Sequence, residues 1–317
     1  MANPSPPAVS VVVPAYGVAD MVGETLASLQ AQTLTDWEAI VVDDGAPDDV
    51  AGAVAPFLAD PRIRLLQTDN GGLALARNRA IAAARAPILS LLDGDDLYEP
   101  EYLSAMHAAL IADDRHGFVT CDATYFGDSR DGERFTDYFP QVLPITLDRV
   151  LARQFYVFGA GMFRRSAFDA IGGFDASLRS AEDLDFWVRI LSAGFSGGYV
   201  PRPLHRYRRR STSLSRNSAT LFRYEAAVYR KAQAALTGRP EEATAARMAA
   251  LIEQRLARAE GEALILAGNT SAGLARLNDG RMADESLKWR IIMAILTVAP
   301  PLARPILFAR ARNNQRP

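Results

Sequence analysis

The chain has 317 residues, 23% charged and 49% hydrophobic, with a formal net charge of −2. That length suits one large α/β core plus a smaller unit, because single cores stop growing at roughly 250–300 residues, and the near-neutral balance gives no reason to expect a nucleic-acid partner. A single cysteine, Cys121, excludes an intramolecular disulfide and a multi-cysteine zinc site within one chain, and points to a reducing, cytoplasmic setting.

The opening MANPSPPAVS has neither a basic start nor an apolar run of signal-peptide length, so residues 1–8 are read as a disordered lead-in. Val9 to Val13 is a β-branched run bounded by Pro14, which predicts a buried strand. Asp20 to Gln32 follows with Met21, Leu26 and Leu29 at helical spacing. The alternation continues through strand-like 38–42, helical 48–58, strand-like 63–67, helical 73–84 and strand-like 88–92. Such a repeat predicts a mostly parallel sheet sandwiched by helices. Beyond residue 118 the pattern loosens, with strand-like 118–126 and 197–207 around helical 164–171 and 182–193. Residues 219–280 are rich in alanine and arginine and break at Gly238-Arg239-Pro240, which predicts a helical appendage. The expected division is a catalytic unit over 1–217 and a helical region over 218–317.

In open α/β sheets ligands bind at the carboxyl ends of the strands, and the loops there are polar: PAYG (14–17), DDGAPDD (43–49), TDNGG (68–72) and DGDD (93–96). The closely spaced carboxylates of Asp93, Asp95 and Asp96 after an apolar strand suit a hard divalent cation, Mg²⁺ or Mn²⁺, though an acidic turn capping a helix near Glu99 is the plain alternative. Asp43-Asp44-Gly45 offers carboxylates to a nucleobase or ribose, or is ordinary turn chemistry. Asn70-Gly71-Gly72 leads to Arg77 on a helix, a permanent cation suited to a diphosphate or simply a solvated side chain. Glu182-Asp183-Leu184-Asp185 supplies carboxylates for taking a proton from a hydroxyl, or for favouring the helix N-terminus.

The order of these segments narrows the alternatives. VSVVVPAYG, VVDDG, DNGGLALARN, LLDGDD, then GGFD and EDLDFWVR together resemble the family-2 glycosyltransferases of the GT-A fold over roughly residues 9–215. The resemblance implies a GT-A type Rossmann-like sheet and inverting transfer of a sugar from a nucleoside-diphosphate donor, a UDP-sugar first among them, to a hydroxyl of a glycan or lipid-linked acceptor. It assigns Pro14, Tyr16, Asp44, Asn70 and Arg77 to the nucleotide. Asp93 and Asp95 are assigned to ribose and a Mn²⁺ or Mg²⁺ ion, Asp183 to the base, and Glu182 to a sugar contact. Two departures stand out: Gly17 where the family carries Asn, and, in HRYRRRSTSLS (205–215), Arg210 where the family carries His. Arg208 and Arg210 are therefore expected to clamp the diphosphate, with a solvated basic strand edge as the alternative. The histidines are read as structural or surface residues. A sugar nucleotidyltransferase would need a basic glycine-rich loop after the first strand, which PAYGVADMVGE lacks; a non-catalytic nucleotide- or glycan-binding domain stays open.

Residues 289–309 are apolar but broken by Pro300, Pro301, Pro305 and Arg304, unsuited to a membrane span. From Leu287 onward there are six basic side chains and no acidic one. Attachment to anionic lipid at the inner face of the membrane, with Trp289 as a flanking anchor, and packing on the catalytic unit or on a second subunit of a homo-oligomer both stand open.

Overall fold

The structure, a computed structural model, describes residues 6–127, 130–210, 218–281 and 287–307. Most of the lead-in and the last residues of HRYRRRSTSLS fall outside these, as do Arg310, Arg312 and Arg316. The chain divides into two compact units, Met1–Ser211 and Thr212–Pro317; the expected boundary at 217/218 falls at the edge of the undescribed 211–217.

The first unit opens with β1 (Val9–Ala15), α1 (Val22–Gln30), β2 (Trp37–Asp44), α2 (Val50–Val54), β3 (Ile63–Thr68), α3 (Leu73–Ala83) and β4 (Ile88–Leu91). It continues with β5 (Leu97–Tyr98), α4 (Tyr102–Ile111), β6 (His116–Phe126), α5 (Leu147–Leu151), β7 (Met162–Arg164), α6 (Arg165–Ile171), α7 (Glu182–Ser192) and β8 (Ser196–Arg208). Every residue of β1 and β2 is buried, as expected where helices cover both faces of a sheet. Val9, Val11 and Val13 share one apolar cluster with Val22, Leu26 and Leu29 of α1 and Leu103, Met106 and Leu110 of α4. The helix expected over 48–58 stops at Val54 and tightens into a 3-10 turn over Ala55–Ala59, because Pro56 has no N–H to donate to an α-helical bond.

The eight strands form one sheet in the order β3-β2-β1-β4-β7-β6-β8-β5. β1, β2, β3 and β4 are mutually parallel. β7 runs antiparallel to both β4 and β6, which returns β6 to the direction of β4, and β8 is parallel to β6. Six strands therefore point the same way, and only β5 and β7 are reversed. That geometry brings the carboxyl ends of β1, β2, β3, β4 and β8 to one rim, which carries every strand-end loop read from the sequence; the 182–185 acids come instead from the start of α7.

The second unit contains α8 (Ser218–Ala235), α9 (Glu242–Leu266), α10 (Thr270–Asp279) and α11 (Leu287–Val298). Gly238, at φ +80°, breaks α8 from α9. Ile265, Leu277, Trp289, Met293 and Leu296 form a core of their own. Among the described residues no helix is long and apolar enough to cross a membrane.

Candidate active site

The rim begins where β1 ends. Tyr16 is 54% exposed there, beside Gly17 at φ +65°. Glycine and asparagine both tolerate that left-handed conformation, which is a physical reason why the two can alternate at this point. Asp48 holds the loop by accepting from Gly17 N (3.1 Å) and Ala19 N (2.7 Å). Gly94, inside DGDD, donates to Pro14 O at 3.1 Å; a Cβ there would lie 2.9 Å from the same carbonyl. The tight contact fixes the acid turn against the end of β1, and only glycine fits it.

β2 delivers Asp43 and Asp44, both buried. Asp44 accepts from Gly71 N and Gly72 N at 2.8–3.1 Å and from Arg79 Nη1 at 3.0 Å. Its oxygens are largely occupied in shaping the glycine turn, on which Asn70 stands exposed. Arg79, which the sequence did not single out, completes that arrangement through Thr68 and Asp69 O.

Arg77 is 2% exposed. Its guanidinium donates to Glu182 Oε1 through Nη1 and to Asp93 Oδ1 through Nη2, each at 2.8 Å. One buried cation thus ties the DGDD turn to the start of α7, and Asn78 fixes the intervening GGFD segment by exchanging two 2.9 Å bonds with the Phe174 backbone. Burial pushes the Glu182 carboxyl up to about 7, with Arg77 opposing and the neighbouring Asp183 adding to the rise. Asp183 is half-buried; its Oδ1 accepts from Leu184 N at 2.7 Å, and its Oδ2 faces Gly159, where an added Cβ would lie 3.3 Å away. Ala181, just before the pair, sits at φ +57°, a conformation that L side chains resist and that clusters at functional sites.

On the other side of DGDD, Arg210 Nη2 lies 2.7 Å from Asp95 Oδ2 and Arg210 Nη1 is 3.3 Å from Gly17 O. Arg208 donates through Nε to Asp95 O and through Nη2 to Glu24 of α1, both at 2.8 Å. Burial, then Asp96 and Asp93, push Asp95 up to about 7. Asp96 is buried with His205, whose Nε2 lies 2.9 Å from Asp96 Oδ2, while Asp96 Oδ1 accepts from Arg208 N at 2.8 Å. His205 belongs to the structural rather than the surface class; with Asp96 it locks β8 to the acid turn. That pairing was invisible in the sequence because 109 positions separate its members.

Among the described residues no three His, Cys, Asp or Glu side chains converge as a protein-only metal cage would require. The acid turn nonetheless suits a hard cation that takes one or two carboxylates and fills its shell from phosphate and water. Three carboxylates crowd one strand end, and two of them are pushed up by burial beside one another.

The sequence profile of glycosyl transferase family 2 matches residues 10–172. The Bacillus subtilis glycosyltransferase EpsJ is 47% identical over 92 residues, 28% of this chain and 26% of that one. EpsH of the same organism is 30% identical over 235 residues, 70% of this chain and 67% of that one. Among solved structures, S. aureus TarS superposes with TM-score 0.63 at 21% identity, over 96% of this chain and 52% of that one. TarS 1–349 with UDP-GlcNAc gives 0.62 at 18%, over 97% and 92%. The Pyrobaculum calidifontis mannosyltransferase PcManGT with GDP-Man and Mn²⁺ gives 0.60 at 20%, over 98% and 88%. The chain thus spans about a quarter of EpsJ and about half of full TarS, and the structural likenesses establish the GT-A-like α/β fold. With the profile covering half of its length and the ordered acid motifs gathered on one rim, this chain belongs to glycosyl transferase family 2.

Proposed function

We propose that this chain transfers a sugar from a nucleoside-diphosphate donor, a UDP-sugar first among the candidates, to a hydroxyl of a glycan or lipid-linked acceptor, with inversion at the anomeric carbon and in the service of polysaccharide or surface-glycan synthesis. The observation that carries the reading is Arg77, which holds Asp93 and Glu182 at 2.8 Å each and so gathers the end of β4 and the start of α7 around one site. UDP leads because the TarS fragment that superposes over nearly the whole chain was solved with UDP-GlcNAc.

We read Asp183 as the base: it stands in the first turn of α7, beside Gly159, and its neighbour Glu182 is already committed to Arg77. In the proposed step the acceptor oxygen forms its bond to the anomeric carbon from the face opposite the diphosphate. Its proton passes to Asp183, and the electron pair of the breaking C–O bond leaves with the nucleoside diphosphate. Arg210, already turned toward Asp95, is suited to the charge of that leaving group; Arg208, tied to Asp95 O and Glu24, positions the turn. Asp95, with Asp93, would hold Mg²⁺ or Mn²⁺, whose bound charge neutralises the diphosphate. Pro14, Tyr16 and Asn70 frame the nucleotide side of the rim, while Asp44 acts through the glycine turn.

Calorimetric titration of UDP, GDP and dTDP, with and without Mn²⁺, tests the donor site in the wild type and Asp95→Asn. Metal-dependent binding of one nucleotide, lost in the variant, is the expected result; no binding under any condition overturns the reading. Asp183→Asn should bind the nucleotide as the wild type does and lose at least 100-fold in transfer. Near-normal turnover would remove Asp183 from the role of base.

A further inference from the structure

α11 carries apolar residues on two opposite faces. One face is internal, with Trp289, Met293 and Leu296 nearly fully buried and the Arg258 guanidinium 3.8 Å over the Trp289 ring. Trp289 is therefore a core residue of the helical unit and not the interfacial anchor the sequence suggested. The opposite face is exposed: Leu287 is 70% exposed, Ile291 51%, Ile295 41% and Val298 87%, with Leu302 in the following turn at 47%. At 3.6 residues per turn the first four fall within an arc of about 80°, a continuous stripe and not scattered apolar residues.

We infer that this stripe docks on a lipid surface bearing anionic headgroups, with the helix lying in the plane of the interface. Charge selects that occupant. Arg290, next to Ile291 on α11, and Arg304 are exposed, and from Leu287 to Pro317 the sequence has six basic residues and no acidic one. Cations flanking an exposed apolar stripe match an anionic headgroup layer over acyl chains. A second copy is a poorer match: a two-fold pairing sets the same patch against itself, bringing Arg290 toward its own copy. Five side chains are also few beside the roughly 20–30 residues a side of a stable interface. The length of α11, 12 residues, excludes spanning and permits lying flat. This surface goes beyond the transfer reading and does not depend on it.

The full chain is floated with phosphatidylcholine vesicles and with vesicles of phosphatidylcholine and phosphatidylglycerol in equal parts. Wild type should float with the second and stay behind with the first, and should be released as salt rises from about 0.1 to about 0.5 M. Ile291→Glu/Ile295→Glu, which alters only exposed positions, should cut flotation at least tenfold while its circular dichroism stays unchanged. A second variant, Arg290→Glu, guards against misfolding of the first and should weaken flotation severalfold. Failure of the wild type to float with anionic vesicles overturns the proposal. So does equal flotation of well-folded variants, or a double variant that changes the sedimentation mass from dimer to monomer while still floating, which would assign the stripe to a second copy.

Discussion

Arg77 is one cation among Asp93, Glu182 and Asp183, so the buried group keeps an excess of negative charge. The two ends of a single 2.8 Å contact consequently respond in opposite senses. Although burial works against its charge, Arg77 is held more firmly protonated by Asp93 and Glu182, whereas burial and Asp183 push Glu182 upward. Burial is the chief cause of the rise at Glu182, with Asp183 adding to it and Arg77 opposing, while the same carboxylates outweigh burial at Arg77. Arg77→Gln should destabilise the protein by about 3–5 kcal/mol, the usual effect of orphaning a buried ion pair, and should reduce transfer at least 100-fold. Arg77→Lys restores the charge without the two-pronged geometry; urea unfolding should show most of the stability recovered while kcat stays low. At this scale the sequence was half legible. Motif order singled out Arg77, Asp93 and Glu182, but it did not show that their first partners are one another. Asp44 is a similar case: it was assigned to the nucleotide, yet its oxygens are turned to Gly71, Gly72 and Arg79.

Among the elements, β1, β2 and β4 were readable because buried parallel strands are short apolar runs with sharp ends, whereas β3 was readable from its place in the strand–helix alternation although it is only half-buried. β7 was not readable: three residues, Met162–Arg164, give no period, and their role comes from pairing with β4 and β6 on either side. The second unit hid its seam for another reason. The buried positions of α9 include Ala245, Ala249, Ala257 and Gly261, small residues that report backbone approach and not apolar bulk. Gly261 meets α10 where a Cβ would lie 2.8 Å from Gly273 O and from Leu277. Gly261→Ala gains helix propensity of about 1 kcal/mol but must push the helices apart, an overpacking effect of about 1–3 kcal/mol. Thermal unfolding should therefore show a net loss, whereas Gly268→Ala, beyond the end of α9 with open space around its Cβ but φ +95°, should lose stability through backbone strain alone.

For the molecule as a whole, carrying so many acids to one rim makes stability pH-dependent. The folded pKa of Glu182, about 7, stands above its ordinary 4.5, and that of Asp95, about 7, above 3.8. A raised acid contributes stability that is complete below its unfolded pKa and is lost as pH climbs through the folded value. The ligand-free protein should thus become less stable between about pH 4.5 and pH 7, by roughly 3 kcal/mol for Glu182 alone. Glu182→Gln should flatten the melting-temperature profile across that range; an unchanged slope would mean that Glu182 stays ionised. Glu38 works the other way: burial raises it, but bonds from Arg85 and Ser10 outweigh that and hold it low, so its contribution disappears only under more acid conditions. Cys121, finally, is buried in β6, and burial pushes its thiol up to about 12. A buried thiol so rarely ionised at neutral pH is a poor nucleophile, so the folded chain should react only slowly with thiol reagents. A cysteine placed at Tyr16 or Ile295 would then be the sole attachment point for a fluorophore or spin label, with the parent protein as its own blank.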